Sequence, residues 1–191
     1  MNSLEIHTIM SINPQHLSFK GEIKMGNVNI ADSYHISFNT YLIEPLIHGD
    51  KLYSRVYDKS GEIIVSRKPI YIIRKSCVLM GSNYKTARSV SKRFFGDEKH
   101  KLPIIISHDY GMPCVFFPLL SPTSPNNVWV GLHAIINIRR IKDSTEITLK
   151  DGRELILNFN YSSFCTQYVC ATMLHKFGTH QRLILQNDLS V

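Results

Sequence analysis

Lys85, Arg88, Lys92 and Arg93 fall within the stretch Gly81–Arg93, GSNYKTARSVSKR, with no acid among them. Side chains of this type at this density neutralise anions: each ammonium or guanidinium offers a permanent charge and several N–H donors to a phosphate or carboxylate. The setting is wider than the stretch itself. Between Ile64 and Pro103 the bases Arg67, Lys68, Arg74, Lys75, Lys85, Arg88, Lys92, Arg93, Lys99 and Lys101 face only Asp97 and Glu98, whereas the whole chain carries a formal charge of +7. The basicity therefore belongs to one segment. A clustered field of this kind concentrates a polyanion, whether nucleic acid, an anionic membrane or an acidic protein. The alternative is a solvated face that keeps the chain soluble.

Other residues suggest chemistry less specifically. His108-Asp109 resembles a metal-phosphohydrolase dipeptide, and Cys114 with His108 or His133 could be paired as nucleophile and base. A metal site needs three or four ligands at workable spacing, and a cysteine nucleophile needs an oriented base and a third group behind it. Neither is visible. The chain also lacks the glycine-rich phosphate loop, the dinucleotide fingerprint and the nucleophile elbow, so no enzymatic activity and no cofactor are expected. Cys77, Cys114, Cys165 and Cys170 form no CxxC pair, and the expected state is reduced thiols in a cytoplasmic protein. No apolar run approaches the ~18 residues that cross a bilayer, and the N-terminus lacks a charged and then apolar leader.

The elements that must position the bases are read from periodicity and turn residues. With 191 residues, 43% hydrophobic and 19% charged, the chain suits one folded domain. Tyr34–Ile43 partly alternates, with Ile36 and Phe38 on one side. Leu52–Tyr57 and Glu62–Ser66 flank the turn cluster Asp58-Lys59-Ser60-Gly61 and predict a hairpin. Ile70–Ile73, Leu102–Ser107 and Val115–Leu119 read as further strands, and Ser121–Asn127, with two prolines, as an exposed loop. Val128–Arg140, Thr145–Lys150 and Arg153–Phe159 continue the strand pattern, the last two joined by Asp151-Gly152, a strong hairpin signal.

Two segments carry the helical period. Phe164, Tyr168, Ala171 and Leu174 line one face of a helix over 161–177, with Gly178 as its stop. If Tyr84–Phe95 is helical, with Ser82 or Asn83 as cap and Gly96 as stop, then Ala87, Val90 and Phe94 form an inner stripe. Lys85, Arg88 and Lys92 then project together from the opposite side. As a loop, the same bases remain exposed. The expected class is α+β and β-rich: short antiparallel strands and hairpins, a C-terminal amphipathic helix and a short basic helix. With one strong helix visible, a helix-turn-helix is not expected; an Arg/Lys element on a β-rich scaffold reaches instead for the narrow minor groove of A·T tracts.

The order Tyr34, Thr40, Pro45, Lys68-Pro69, Arg74-x-Ser76-Cys77, Gly81-Ser82-x-Tyr84, Lys101-x-Pro103-Ile104, Phe116-Phe117-Pro118, Ser121, Pro125, Trp129, Asp151-Gly152 and Tyr161-x-Ser163-Phe164 with Gln167 resembles the ComK family of competence transcription factors from low-GC Gram-positive bacteria. The resemblance covers Tyr34 to Gly178. It implies a transcriptional activator of DNA-uptake and recombination genes, acting in the cytoplasm on the nucleoid. Such a protein binds A/T-rich promoter boxes through the minor groove as a homodimer or a pair of dimers, and a MecA-type adaptor hands it to a Clp protease.

By that resemblance Arg74, Lys75, Lys85, Arg88, Lys92, Arg93 and Lys101 are the expected DNA-binding residues. Lys85 and Arg88 would lie against backbone or groove floor, with Lys92 and Arg93 against phosphates. Members commonly carry two adjacent bases after the matching tyrosine, whereas here Ala87 precedes Arg88. The family's longer tail is reduced to 179–191, where Arg182-Leu183-Ile184-Leu185-Gln186 reads as an adaptor motif, a docking strand or a frayed end. Residues 1–33 read as an N-terminal extension. Lys-Gly-Glu-Ile-Lys-Met can be encoded by a ribosome-binding-site-like run, so Met25 is the expected start and 1–24 an annotation extension. From the residues alone a second class stays open: a β-rich, non-enzymatic adaptor whose basic face meets an acidic protein or a membrane surface.

Overall fold

A computed structural model describes residues 30–109 and 111–188. The proposed start at Met25 and the segment before it lie outside the described residues. The chain forms β1 (Ile30–Ala31), β2 (Thr40–His48), β3 (Lys51–Asp58), β4 (Gly61–Val65), α1 (Pro69–Leu79) and α2 (Tyr84–Phe95). It continues through β5 (Ile104–Asp109), β6 (Met112–Pro118), β7 (Trp129–Gly131), β8 (Ile135–Ile141), β9 (Ser144–Leu149) and β10 (Glu154–Leu157) to α3 (Tyr161–Asp188). The class is α+β and rich in antiparallel hairpins, as the sequence pattern predicts. No described helix is long and apolar enough to cross a membrane.

Seven strands form one sheet in the order β1-β4-β3-β2-β7-β6-β5, antiparallel except for β1 beside β4. Three more form a second sheet, β10-β9-β8. The strand period of two divides the large sheet between two cores. On β6, Cys114 and Phe116 face a cluster with Ile72, Ile73, Cys77 and Ala87 of the two short helices. Val115 and Phe117, the alternate residues, face Ile147, Leu155, Phe164 and Leu174 of the small sheet and α3. The large sheet is thus covered on both faces, which is why its central strands lack polar alternation.

Four expectations are corrected. Ile70–Ile73 is not a strand but part of α1, which starts with Pro69 at its first turn. Its buried residues Pro69, Ile72, Ile73, Ser76 and Cys77 follow the helical spacing. Tyr34–Phe38 is likewise not strand, since β2 begins at Thr40. Ile36 is nonetheless fully buried, and its N–H donates to Ser76 Oγ at 3.0 Å, a tertiary bond that replaces a ladder partner. Val128–Arg140 is not one strand either. A 3-10 turn at Leu132–Ala134 divides it, and the two halves join different sheets.

Gly178 does not stop α3. A Cβ on it would lie 2.9 Å from Ile105 Cδ1 and 3.1 Å from Pro113 Cγ, so glycine serves here to let the helix press against β5 and β6.

Two measurements probe this packing. Gly178→Val should destabilise the fold by about 1–3 kcal/mol, the usual cost of overpacking, and a shift of the urea midpoint in that direction checks it. His133, at the turn between the sheets, lies edge-on to Phe38 at 4.8 Å, and both ring nitrogens are buried without a partner at hydrogen-bonding geometry. Burial first, and Lys150 second, push its pKa down to about 4 against the nearby Phe38 and Thr40 carbonyls. The unfolded chain, with a histidine pKa near 6.5, then binds the extra proton between pH 6.5 and 4, and stability falls as pH drops through that window. Relative to His133→Gln, the wild type should lose on the order of 3 kcal/mol by pH 4, measured by denaturation at a series of pH values.

Candidate nucleic-acid interface

Local chemistry makes α2 where the sequence placed it. Asn83 caps it in extended backbone, its Oδ1 accepting from Thr86 N–H at 2.9 Å, and Gly96 ends it at φ +90°, its N–H donating to Lys92 O. The rotation of the helix differs from the expected one. Its buried residues are Ala87 and Ser91, with Tyr84 and Phe95 half-buried on the same side, and Phe94 is exposed. Ser91 is fully buried, and its hydroxyl donates to Pro103 O at 2.5 Å. Ala87 belongs to the inner stripe as expected, but the stripe is centred near Ser91, about 70° round the helix at ~100° per residue from the centre of the expected set Ala87, Val90 and Phe94.

That rotation sorts the bases. Lys85 and Arg93 stay exposed. Arg88 is carried toward the surface rim: it is half-buried, with Nε lacking a hydrogen-bond partner. Arg74, on the exposed side of α1, places its guanidinium 5.7 Å from the centre of the Tyr84 ring. The charges of Arg88 and Arg74 both act on the Tyr84 hydroxyl, yet its pKa is raised because burial outweighs them. Arg74, Tyr84 and Arg88 thus form one cluster at the α1–α2 junction, with Lys75 exposed beside Arg74. Tyr84 itself also packs edge-on to Trp129, at 6.4 Å.

The remaining candidates stand apart. Lys92 Nζ is 2.9 Å from Asp97 Oδ1, an ion pair at the end of α2. Lys101, half-buried, holds its ammonium 5.4 Å from the Phe159 ring centre, on the side of the molecule that meets β10 and α3. Charge-counting alone does not separate these from Arg74 or Lys85.

The sequence pattern also left something out. The outward face of α1 reads Tyr71, Arg74, Lys75, Val78 and Leu79, at helical spacing, and the two helices are joined by only Met80–Asn83. Two adjacent helices with a short turn are present after all, because the segment read as strand is α1. The spacing of Pro69, Ile72, Ile73, Ser76 and Cys77 was the available signal.

Of the loosely suggested catalytic groups, Cys114 and His133 do not share a cavity wall. Burial pushes the Cys114 thiol up to about 12, which leaves it protonated. His133 and Asp109 line an open cavity of about 650 Å³ with Phe38, Met112, Lys150 and His175, and Cys114 is not part of its wall. Among the described residues no group of three or more His, Cys, Asp or Glu is placed to hold a metal ion.

The family model described as ComK protein matches residues 31–183. The chain is 29% identical over 151 residues to the competence transcription factor of Bacillus subtilis (strain 168), an alignment covering 76% of each chain. No solved structure gives a significant match.

The seam under α2 is open to direct test. Ser91→Ala removes the hydroxyl from a buried carbonyl, which costs about 1–3 kcal/mol for the group left unpaired. The expected result is a lower urea midpoint with an unchanged far-ultraviolet spectrum, and an unchanged midpoint would mean that the bond does not hold the helix.

Proposed function

The chain belongs to the ComK family, and on that premise we propose that it is a competence transcription factor that binds double-stranded DNA at A/T-rich promoter boxes through the minor groove. The observation that carries this reading is one of coincidence: the matched span, 31–183, contains both helices that present the exposed bases. Arg74, Lys75, Lys85 and Arg93 are the proposed phosphate and groove contacts, with Arg88 supporting from beside Tyr84. Lys92 and Lys101 contribute to the field from positions already engaged with Asp97 and Phe159.

Physical chemistry favours a role for shape. A·T tracts have a narrow minor groove of enhanced negative potential that attracts Arg and Lys without any base-specific hydrogen bond. Phosphate contacts supply affinity and orientation, and the sequence preference comes from groove width. The family reading further implies dimers paired on DNA in the cytoplasm, and delivery by a MecA-type adaptor to a Clp protease. One structural observation supports a second mode. α1 and α2 are consecutive and joined by the four residues Met80–Asn83, the connection length of a helix-turn-helix, a motif whose second helix enters the major groove.

Fluorescence anisotropy on two duplexes of equal length, one with A- and T-tracts and one G·C-rich, tests the proposal across a salt series. Preference for the tract duplex should persist as salt rises, and a minor-groove-filling polyamide should compete for it. Lys85→Ala should weaken binding and reduce the slope of log K against log salt by about 1. Equal binding to both duplexes that vanishes with salt would leave only a general polyanion surface. Insensitivity to the polyamide would favour the major groove.

A further inference from the structure

We propose that the tip joining α1 to α2 is an apolar wedge: Leu79 and Met80, backed by Val78, enter between stacked bases from the minor-groove side and kink the duplex. The inference rests on the DNA-binding reading above and adds a mechanical step to it.

Three apolar side chains in a row are left in water at the most basic part of the molecule. Val78, Leu79 and Met80 are 56%, 50% and 49% exposed. They extend the face of α1 that carries the bases: Val78 lies four residues beyond Arg74, and Leu79 four beyond Lys75, each about 6 Å along the axis. Lys85 stands on the other side of the turn, exposed in the first turn of α2. An apolar point flanked by cations matches the section of a duplex, in which apolar base faces lie between two rows of phosphates. Minor-groove proteins that bend DNA insert Leu, Ile, Met or Phe in this way.

The tip is also rigid, which a wedge requires. Gly81 sits at φ +74°, and a Cβ there would meet nothing within 4 Å, so glycine is needed for the backbone conformation and not for space. The N–H of Gly81 donates to Val78 O at 3.1 Å and that of Ser82 to Cys77 O at 3.0 Å, the paired bonds that close a helix in a left-handed cap. Asn83 then starts α2 immediately. Leu79 and Met80 are thus held outward between two fixed helix ends. Beneath them Ile73, Ser76 and Cys77 are fully buried, so the tip cannot fold inward.

Pyrimidine–purine steps such as TA unstack most readily, and they occur in A/T-rich boxes. The experiment uses the full chain and an A/T-tract duplex with 2-aminopurine at a central TA step and a donor and acceptor dye at its ends. Binding of the wild type should raise the 2-aminopurine emission severalfold and shorten the end-to-end distance by an amount fitting a kink of about 20–90°. Leu79→Ala/Met80→Ala should still bind, with affinity reduced severalfold, while both signals fall to the level of free DNA. Ile136→Ala, an equally exposed apolar residue on β8, should leave both signals intact.

A wild type that binds the tract duplex without either signal overturns the wedge and leaves the DNA-binding reading standing. The wedge is equally overturned if the double variant keeps both signals, and the exposed tip then belongs to a protein partner. Failure of the wild type to bind DNA overturns both readings together.

Discussion

The availability of the basic surface depends on a seam of two small residues. Ala87 and Ser91, four apart on α2, bring its backbone close to the large sheet, and the Ser91 hydroxyl satisfies the Pro103 carbonyl just before β5. A buried carbonyl without a partner is costly, so this bond fixes not only the distance of the helix but also its rotation. Rotation in turn decides the exposure of each base. With Ser91 at the centre of the buried side, Lys85 and Arg93 face water and Arg88 lies at the rim against Tyr84. A helix centred on Ala87 and Val90 would expose Arg88 fully and bury Phe94.

The sheet beneath pays for being covered on both faces. Glu44 and Arg55 on adjacent strands are both buried, with a 3.4 Å contact, and Tyr57 donates its hydroxyl to Glu44 Oε1. Burial outweighs both partners and pushes the Glu44 carboxyl up to about 7. The pair is better understood as the polar residue of closing the sheet than as a source of its stability. Arg153 closes the same face further along, over Tyr57. It donates to the Asp58 carbonyl at 2.6 Å and lies over the Tyr41 and Tyr57 rings, fastening the turn of the small sheet to the large one. The helical layer with the bases and the layer of α3 are consequently held on opposite faces of one sheet.

What could be read from the sequence was chemistry that acts locally. The bounds of α2 follow from Asn83 and Gly96, the β3–β4 and β9–β10 turns from Asp58–Gly61 and Asp151-Gly152, and α3 from its apolar period. What could not be read was decided at a distance. Ile70–Ile73 taken alone is a short apolar run that suits a strand or a helix equally; the helical spacing shows only when the window is widened to Pro69–Cys77, and burial of that stripe against β2 and β5 then holds the helix. Gly178 has the composition of a helix stop, but its meaning lies in Ile105 and Pro113, far away in sequence. The site divides in the same manner. The charge of 64–103 was legible in full, whereas the half-burial of Arg88, the pairing of Lys92 with Asp97 and the outward tip of α1 required knowledge of what packs underneath.

Charge and shape do different work on this surface. Counterion release gives any cluster of exposed bases affinity for any duplex, so Arg74, Lys75, Lys85 and Arg93 alone cannot prefer one sequence. Preference requires that they be held in a geometry that some duplexes match at lower cost than others. Pro69 presets the first turn of α1, the paired bonds to Val78 and Cys77 close its end, and Asn83 starts α2. Between Lys68 and Gly96 the backbone is therefore fixed by three local devices and by its burial on the sheet. Ordering costs that a flexible basic arm meets on binding are met here during folding. A rigid basic surface of this kind is sensitive to groove width and to the ease of bending, because it has little freedom to adapt to a duplex that does not offer them.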